Sequence, residues 1–403
     1  MSVFSGNHKT KSLAVAGIDY KRACIAEREK LVCTVMNLSK QPAAFGGITA
    51  YYVVTCHRVE LLAYAGKEDD GAIGKLFREV FGDRSFYYED RSAVVHLLRV
   101  AAGLESAVPF EPQISDQIRN AVPLVAGGFG SKIVKTLLEI SCQIASHMRQ
   151  VVGASYRSLG TVAGEYTVEN IGRGNVLIIG GGAMASDAAS ILAKNLEIKT
   201  TMITKSALVD EAVLKALIIR PEQVESLPPE CFDAVLIASR RKVDQGILSW
   251  IKAGGNPDMV IDISFPRAIP PEKVRDFTYR YLDVDELGLY AENKFRVGDE
   301  ARRLAEAVIA GAADYVEELI LAKERAESLV TRLRHIASDI VEDEAREALA
   351  YLHGRTTGFG EVLRKALEST VNKLLHHLTH HVRSISKDET LEKLERVFYA
   401  EQN

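Results

Sequence analysis

The chain carries no signal for a disulfide framework, a zinc site or a membrane span. Its five cysteines are scattered and include no CxxC pair, which argues against both disulfide pairing and zinc binding. No apolar run reaches the roughly 18 residues that a membrane-spanning helix needs, and residues 1–11 lack the apolar core of a signal peptide. A net charge of −4 gives no overall basic surface for nucleic acid. These absences predict a protein of the reducing cytoplasm, in which any RNA contact comes from a local patch.

The length of 403 residues and the order of the apolar patterns predict three segments. Residues 1–155 are predicted to form a small α+β unit followed by helices. In residues 156–285, short continuous apolar strands alternate with helices, which is typical of a parallel sheet covered on both faces. Residues 286–403 contain no proline and are rich in Ala, Leu, Glu and Arg, so long helices broken near Gly354–Gly360 are expected. The predicted fold class is α/β multidomain, with an α+β domain, a Rossmann-type domain and an all-helical C-terminal domain.

Within these segments the local patterns are more specific. Ile48–Thr55 and Val59–Ala65 are predicted to form a pair of strands, and Gln113–Val125 a helix. In the third segment, apolar residues at spacings of three and four make a stripe that consists of Tyr315, Leu319, Ala322, Ala326, Leu329 and Leu333. A stripe narrowed by alanines suits a close helix–helix contact, either between two chains or in a bundle within one chain, and the composition leaves both open.

Cys56 is the strongest candidate for a nucleophile. It follows an apolar strand, and the next two residues, His57 and Arg58, can hold positive charge beside it. Such an environment lowers the pKa of a thiol and makes a thiolate available. A core cysteine at the end of a strand is the alternative interpretation.

A glycine-rich turn predicts a dinucleotide site. Residues 180–185 follow an apolar strand and open a predicted helix at 183–195, and they give a GxGxxA version of the dinucleotide fingerprint. The first glycine makes the tight turn and the second lets the backbone approach a pyrophosphate at the helix N-terminus. The predicted cofactor residues of this turn are Gly180, Gly181, Gly182, Ala183, Met184 and Ala185.

The end of the next strand predicts NADP rather than NAD. An NAD site normally has an acidic residue there for the ribose 2′-hydroxyl, whereas this chain has Thr204, Lys205 and Ser206. A lysine between two hydroxyls suits a 2′-phosphate, although Lys205 can also be read as a solvated surface residue. Ser239, at the end of the strand over 233–239, completes the predicted cofactor residues. A nucleophilic thiol and a hydride donor in one chain together indicate reduction of a thioester or oxidation of a thiohemiacetal.

Over nearly its whole length the chain resembles the glutamyl-tRNA reductase family. The resemblance rests on five stretches in order, which are Gly17–Lys21 with Arg28 and Glu29, Thr55–Glu60, Val95–Ser106 with Glu111–Ile114 and Gln117, Asp262–Arg267, and Val371–His376. It implies a V-shaped homodimer joined through C-terminal helices, in which a long spinal helix carries a catalytic domain and an NADPH domain. The implied reaction is NADPH-dependent reduction of glutamyl-tRNA(Glu) to glutamate-1-semialdehyde through a Cys56 thioester, the first step of five-carbon tetrapyrrole biosynthesis. An implied partner is the aminomutase that consumes the aldehyde.

The resemblance also implies roles for residues of the first segment. Cys56 and His96 would be catalytic, with His96 near the thiol as a proton donor or base. The implied substrate-binding residues are Thr55, Arg58, Glu60, Ser106, Glu111, Gln113 and Gln117. Among them, Arg58 would pair with the substrate carboxylate and Glu60 would orient Arg58.

Four positions depart from the family's pattern. His57 replaces the usual Asn, Tyr20 replaces a His, Phe110 replaces a Gly and Ala268 replaces an Asp. Adjacent residues of an extended strand point apart, so His57 is expected to act as a hydrogen-bonding substitute rather than to help form the thiolate. Phe110 is expected to alter its turn if that turn needs a positive φ, a conformation Phe rarely adopts.

Other interpretations stay open at this point. The chain could reduce another acyl thioester or acyl carrier, or could be a helical dimer that binds a nucleotide or a partner without catalysis. His376, His377, His380 and His381 could bind a metal at their i, i+4 spacing, but a solvated histidine face is favoured and no metal is predicted. Hinges near residues 155–165, at Gly153, Gly160 and Gly164, and near 285 are expected to let the nucleotide domain swing.

Overall fold

A computed structural model describes residues 11–40, 48–66, 70–125, 128–153, 157–206, 215–274, 278–351 and 359–385. The chain divides into two compact units, Met1–Ala310 and Gly311–Asn403. None of the helices within those ranges combines the length and the apolar character that crossing a bilayer requires.

The first unit opens with a five-stranded antiparallel sheet in the order β4-β1-β3-β2-β5. Its strands are β1 (Lys11–Asp19), β2 (Thr49–Thr55), β3 (Arg58–Gly66), β4 (Phe86–Glu89) and β5 (Val122–Val125). The associated helices are α1 (Ile25–Leu38), α2 (Asp70–Phe81), α3 (Asp90–Ala102), α4 (Gln113–Arg119) and α5 (Gly128–Val152). The predicted strand pair is confirmed as β2 and β3. The helix expected at 113–125 is wrong in its second half, where the proline-containing stretch 122–125 pairs with β2 at a sheet edge.

Strand β3 is buried almost throughout, and its side chains alternate between two faces. Val59, Leu61 and Ala63 pack in a core that also contains Val35 of α1 and Leu76 of α2. The other face carries the polar pair Arg58 and Glu60 toward α3. The period of the strand therefore places two buried charges on one side of the sheet.

A six-stranded parallel sheet follows in the order β11-β10-β9-β6-β7-β8. Its strands are β6 (Gly174–Ile179), β7 (Ile198–Ile203), β8 (Ala216–Ile219), β9 (Ala234–Ile237), β10 (Met259–Asp262) and β11 (Arg280–Leu282). Its helices are α6 (Leu159–Ile171), α7 (Ala183–Leu192), α8 (Gln245–Gly254), α9 (Pro271–Val274) and α10 (Val284–Lys294). Apolar clusters cover both faces, so the predicted Rossmann-type sheet is confirmed. The edge strands β8 and β11 were not anticipated, because each is only three or four residues long.

The hinge expected at Gly160 and Gly164 is wrong. Both glycines lie inside α6, where they let this helix pack closely on α7. A β-carbon on Gly160 would lie 2.2 Å from the Met184 carbonyl oxygen, and one on Gly164 would lie 2.9 Å from that of Ala188. Gly153, with φ +64°, follows α5.

Two long helices dominate the rest of the chain. Helix α11 (Asp299–Tyr351) begins in the first unit and continues into the second, which also contains α12 (Phe359–Ser384). In the second unit, Ala322, Ala326, Leu329 and Leu333 are buried in a cluster with Val382 of α12. Most of the predicted stripe is thus a contact within one chain, while Tyr315 is 57% exposed. The predicted break near Gly354–Gly360 falls mainly on residues outside the described ranges.

Candidate active site

Cys56 and His57 are the two residues that join β2 to β3. The pairing of the two strands ends at Thr55 and Arg58, so Cys56 and His57 form the turn between them. In this turn the Cys56 Sγ lies 3.2 Å from the His57 Nδ1. The expectation that the two side chains point apart is therefore wrong, because it assumed an extended strand. Thr55 supports the turn, since its Oγ1 accepts a hydrogen bond from the His57 N–H at 3.2 Å.

Glu60 is the centre of a buried charge cluster beside this turn. Its Oε1 accepts from the Arg58 Nη1 at 2.8 Å and lies 3.1 Å from the His96 Nε2. Burial acts to raise the pKa of Glu60, but the charges of His96 and Arg58 outweigh it and lower that pKa to about 2. Arg58 also donates to the Glu105 carbonyl. His96 thus contacts Glu60, and among the described residues no hydrogen bond joins it to the thiol.

Ser106 and Glu111 lie on the other side of His57. The Ser106 Oγ lies 3.4 Å from the His57 Nδ1 and donates to the Glu111 Oε2 at 3.3 Å. The Glu111 Oε1 accepts from the Leu159 N–H at 3.2 Å. Burial raises the pKa of Glu111 to about 7. The Cys56 Sγ, a ring nitrogen of His57 and a carboxylate oxygen of Glu111 lie within 4.8 Å of one another.

Phe110, just before Glu111, adopts φ +59°. The turn thus has Phe in the left-handed region, which costs a bulky residue roughly 1–2 kcal/mol. Phe110 therefore takes the conformation that the sequence analysis describes as rare for Phe, and whether the turn differs from that of the family stays a prediction.

The two glutamines of α4 do not join the group around Cys56 through hydrogen bonds. The Gln113 Nε2 donates to the Asp187 Oδ2 of α7 at 2.9 Å. The Gln117 Oε1 is buried without a hydrogen-bond partner among the described residues. Gln113 therefore connects α4 to the parallel-sheet domain.

The thiol itself is enclosed. Cys56 is only 3% exposed and packs in a core with Leu159 of α6 and with Leu287 and Ala291 of α10. Burial, with a smaller contribution from the charge of Glu111, raises the pKa of the Cys56 thiol well above its ordinary value. The expected low thiol pKa is thus not found in this arrangement.

The charge expected on His57 is also absent. Burial, with the nearby positive charges of Arg28 and Arg58, lowers the pKa of His57 to about 3, so its imidazole is neutral. Sequence reasoning gave no role to Arg28 or to its partner Asp285. The only available signal was the presence of Arg28 beside Glu29 in the N-terminal stretch, because the partner lies 257 residues away.

The glycine-rich turn after β6 has the geometry that a dinucleotide needs. Gly180 has φ +139°, and a β-carbon on it would lie 2.2 Å from the Ala238 carbonyl oxygen. A β-carbon on Gly181 would lie 1.9 Å from the Thr204 Oγ1. Gly182 is the N-cap of α7, and Ala183, Met184 and Ala185 form its first turn. Backbone N–H groups at such a helix start suit a pyrophosphate.

The loop after β7 carries the predicted 2′-phosphate residues. The Thr204 Oγ1 accepts from the Ser206 N–H at 3.0 Å, and the exposed Lys205 pairs with Glu222 at 3.1 Å. Arg220 was missed: its Nη1 donates to the carbonyls of Thr204 and Ser206 at 3.2 and 2.9 Å. It lies 15 residues beyond Lys205, a spacing for which no fixed sequence signal exists.

The remaining predicted positions lie elsewhere in the structure. Ser239, just after β9, donates its N–H to the Ser264 Oγ at 3.0 Å, at the same edge of the sheet as the glycine turn. His376, His380 and His381 are exposed on α12, and the side chain of His377 lies outside what the structure describes.

Comparison with known proteins gives two family matches. The model for the glutamyl-tRNAGlu reductase N-terminal domain matches residues 16–152, and that for the dimerisation domain of the same enzyme matches residues 304–400. The chain is 27% identical to "Glutamyl-tRNA reductase 2" of Anaeromyxobacter sp. (strain Fw109-5), with 90% of each covered. It is 27% identical to glutamyl-tRNA reductase of Marinobacter nauticus, with 92% of each covered. Among solved structures, a glutamyl-tRNA reductase from Methanopyrus kandleri is 20% identical with a TM-score of 0.44, covering 96% of this chain and 97% of that one.

Proposed function

Because this chain belongs to the glutamyl-tRNA reductase family, we propose that it reduces glutamyl-tRNA(Glu) to glutamate-1-semialdehyde for tetrapyrrole biosynthesis. The observation that carries the proposal is the Cys56 turn, in which a thiol, an imidazole and buried carboxylates converge. The same unit holds a Rossmann-type sheet with a glycine turn that fits a nicotinamide cofactor.

The chemistry assigns one covalent step to Cys56. Its sulfur attacks the aminoacyl ester carbonyl, so that a C–S bond forms and the C–O bond to the tRNA ribose breaks. The nicotinamide cofactor supplies a hydride to the resulting thioester when bound. The thiohemiacetal on Cys56 then collapses to the aldehyde and releases the thiol.

We assign substrate binding to the polar residues around the turn. Arg58 keeps further N–H groups for a substrate carboxylate, and Glu60 with His96 fixes its orientation. Ser106 and Glu111 face the same turn, as does the backbone of Thr55. Gln113 and Gln117, which start from α4, are proposed to reach the substrate only after a rearrangement that frees Gln113 from Asp187.

NADPH is the proposed form of the cofactor. Lys205 is exposed just after β7. The Arg220 guanidinium donates hydrogen bonds to two backbone carbonyls of the same loop. Two cations with the hydroxyls of Thr204 and Ser206 suit a 2′-phosphate. Glu222, which now pairs with Lys205, would be displaced by the phosphate.

We propose a domain organisation and partners that follow from the family. Residues 1–155 form the catalytic domain, 156–285 the NADPH domain and 286–403 the spinal helix with the dimerisation domain. The C-terminal helices join two chains into a homodimer, as the matched dimerisation domain implies. The enzyme works in the cytoplasm, and an aminomutase takes the reactive aldehyde onward.

The test is NADPH oxidation with glutamyl-tRNA, uncharged tRNA or a glutamyl thioester mimic. We expect oxidation that requires charged tRNA and is lost in Cys56→Ser. Cys142→Ser is the matched control, since Cys142 is also buried but lies away from the turn. NADPH that binds without being oxidised, or oxidation that survives in Cys56→Ser, contradicts the proposal. Oxidation with the thioester mimic alone would favour a reductase of another acyl donor.

A further inference from the structure

We propose that His57, through its Nδ1, is the base that takes the proton of the Cys56 thiol and returns it to the departing ribose oxygen. This inference rests on the proposed function, and it assigns a catalytic role to a position where the family resemblance has an asparagine. An asparagine side chain can form a hydrogen bond there but cannot accept the thiol proton at a ring nitrogen.

The contact between the two side chains is direct. Sγ and Nδ1 are 3.2 Å apart, and His57 is 1% exposed, so no bulk water competes for the ring nitrogen. The two-residue turn fixes the pair, because Thr55 and Arg58 on either side are held in the strand ladder. The base is therefore positioned before any substrate arrives.

The proposal requires that the neutral His57 ring carry its proton on Nε2. Nε2 faces the first turns of α10, where a β-carbon on Gly288 would lie 3.3 Å away. The Val284 backbone acts to raise the pKa of His57, and Nε2 has no hydrogen-bond partner among the described residues. With the proton on Nε2, the Nδ1 lone pair is directed at the thiol. Ser106 does not occupy that lone pair when its single O–H is donated to the Glu111 Oε2, 3.3 Å away.

Burial, together with the positive charges of Arg28 and Arg58, keeps the ring neutral at rest. Arg28 of α1 and Arg58 of β3 oppose a charge on His57, and Glu111 and the Tyr20 ring, 5.1 Å away, complete the enclosure. The proton consequently moves only as the sulfur attacks, which is general-base catalysis rather than a preformed thiolate.

Every proton and every bond of the step is accounted for. The S–H bond breaks as the C–S bond forms, and His57 becomes an imidazolium. The C–O bond to the ribose then breaks, and the ribose oxygen takes the proton from Nδ1. Thiol and ester become thioester and alcohol, with no oxidant or reductant.

The test follows thioester formation from labelled glutamyl-tRNA without nicotinamide cofactor, in wild type, His57→Asn and His57→Gln. We expect both variants to form the Cys56 thioester about 100-fold more slowly, within the usual range for general-base catalysis, while the Kd for glutamyl-tRNA changes less than about twofold. A variant that forms the thioester at the wild-type rate overturns the inference.

Two further measurements separate this inference from the proposed function. If wild type forms no thioester, iodoacetamide modification of Cys56, followed by peptide mass spectrometry, decides: slower modification in both variants supports the base, and equal rates overturn it. The second measurement is nitrogen-15 NMR of the wild-type protein, and its result does not depend on whether the variants fold. It must show His57 protonated at Nε2, and a proton on Nδ1 overturns the inference.

Discussion

Arg28 holds both carboxylate oxygens of Asp285, at 2.7 and 3.2 Å, across 257 residues of sequence. The same guanidinium donates to the Cys56 carbonyl at 3.1 Å. One fully buried cation thus connects α1, the nucleophile turn and the start of α10. We expect this ion pair, the latch between α1 and α10, to hold α10 beside the nucleophile turn.

Removing the latch should expose the thiol. Asp285→Ala leaves the Arg28 charge buried without its partner, and breaking such a pair costs on the order of 3 kcal/mol. We expect a lower urea midpoint and at least a tenfold faster alkylation of Cys56 by iodoacetamide. Cys142, buried in the same unit, is the internal control and should keep its rate. The exposed pair of Glu361 and Lys365 gives the control variant Glu361→Ala, and equal Cys56 rates in both variants would contradict the latch.

Close packing of α6 on α7 should make Gly160 intolerant of a side chain. The β-carbon of Gly160→Ala would lie 2.2 Å from the Met184 carbonyl oxygen, so α7 must shift. Such overpacking costs about 1–3 kcal/mol, and the displaced helix start should weaken nicotinamide binding. Urea unfolding and cofactor titration measure the two effects. Gly311→Ala, on an open helix surface, should instead stabilise the protein by up to about 1 kcal/mol, and similar behaviour of the two variants would argue against the packing role.

Selection between NADPH and NADH should depend on Lys205. Loss of a charge-assisted hydrogen bond to phosphate costs about 1.5–3 kcal/mol, so Lys205→Ala should bind NADPH roughly 10–100-fold more weakly. NADH binding should hardly change. Lys199→Ala is the control, because Lys199 is exposed on the same strand, away from its end. Titration calorimetry with both cofactors measures the ratio, and an unchanged ratio would remove Lys205 from the site.

Glu111 should make stability fall as pH rises. Its pKa is raised from 4.5 to about 7 in the folded protein, so the folded state binds more protons between these values. The stability it contributes is full below about pH 4.5 and is lost as pH rises through 7, a change of about 3 kcal/mol at most. Glu111→Gln retains an acceptor for Leu159 and should remove this loss. The measurement is the difference in unfolding free energy between variant and wild type at pH 5 and pH 8; a constant difference would refute the assignment.

Local sequence patterns were sufficient where neighbours along the chain decide the structure. The strand pair β2 and β3, the glycine turn after β6 and the alanine stripe of α11 were each predicted from local patterns alone. Patterns also failed locally, at Cys56 and His57, where the expectation of an extended strand overlooked that the turn consists of just these two residues.

The larger omissions are contacts between distant residues. Asp285 meets Arg28, and Arg220 supports the loop of Lys205, only because the fold brings the elements together. Nothing in the spacing of either pair signals this. The enclosure of Cys56 was missed for the same reason, since its core also contains Leu287 and Ala291 of α10, which lie more than half the chain away in sequence.

The turn of two residues between β2 and β3 also bears on how such a protein evolves. An insertion or deletion there would shift one strand against the other and turn Arg58 and Glu60 to the opposite face. Substitution at residue 57 carries no such penalty, and a single base change converts an asparagine codon into a histidine codon. With the proposed role of His57, one point mutation therefore supplies a base for the thiol nucleophile while the surrounding fold stays unchanged.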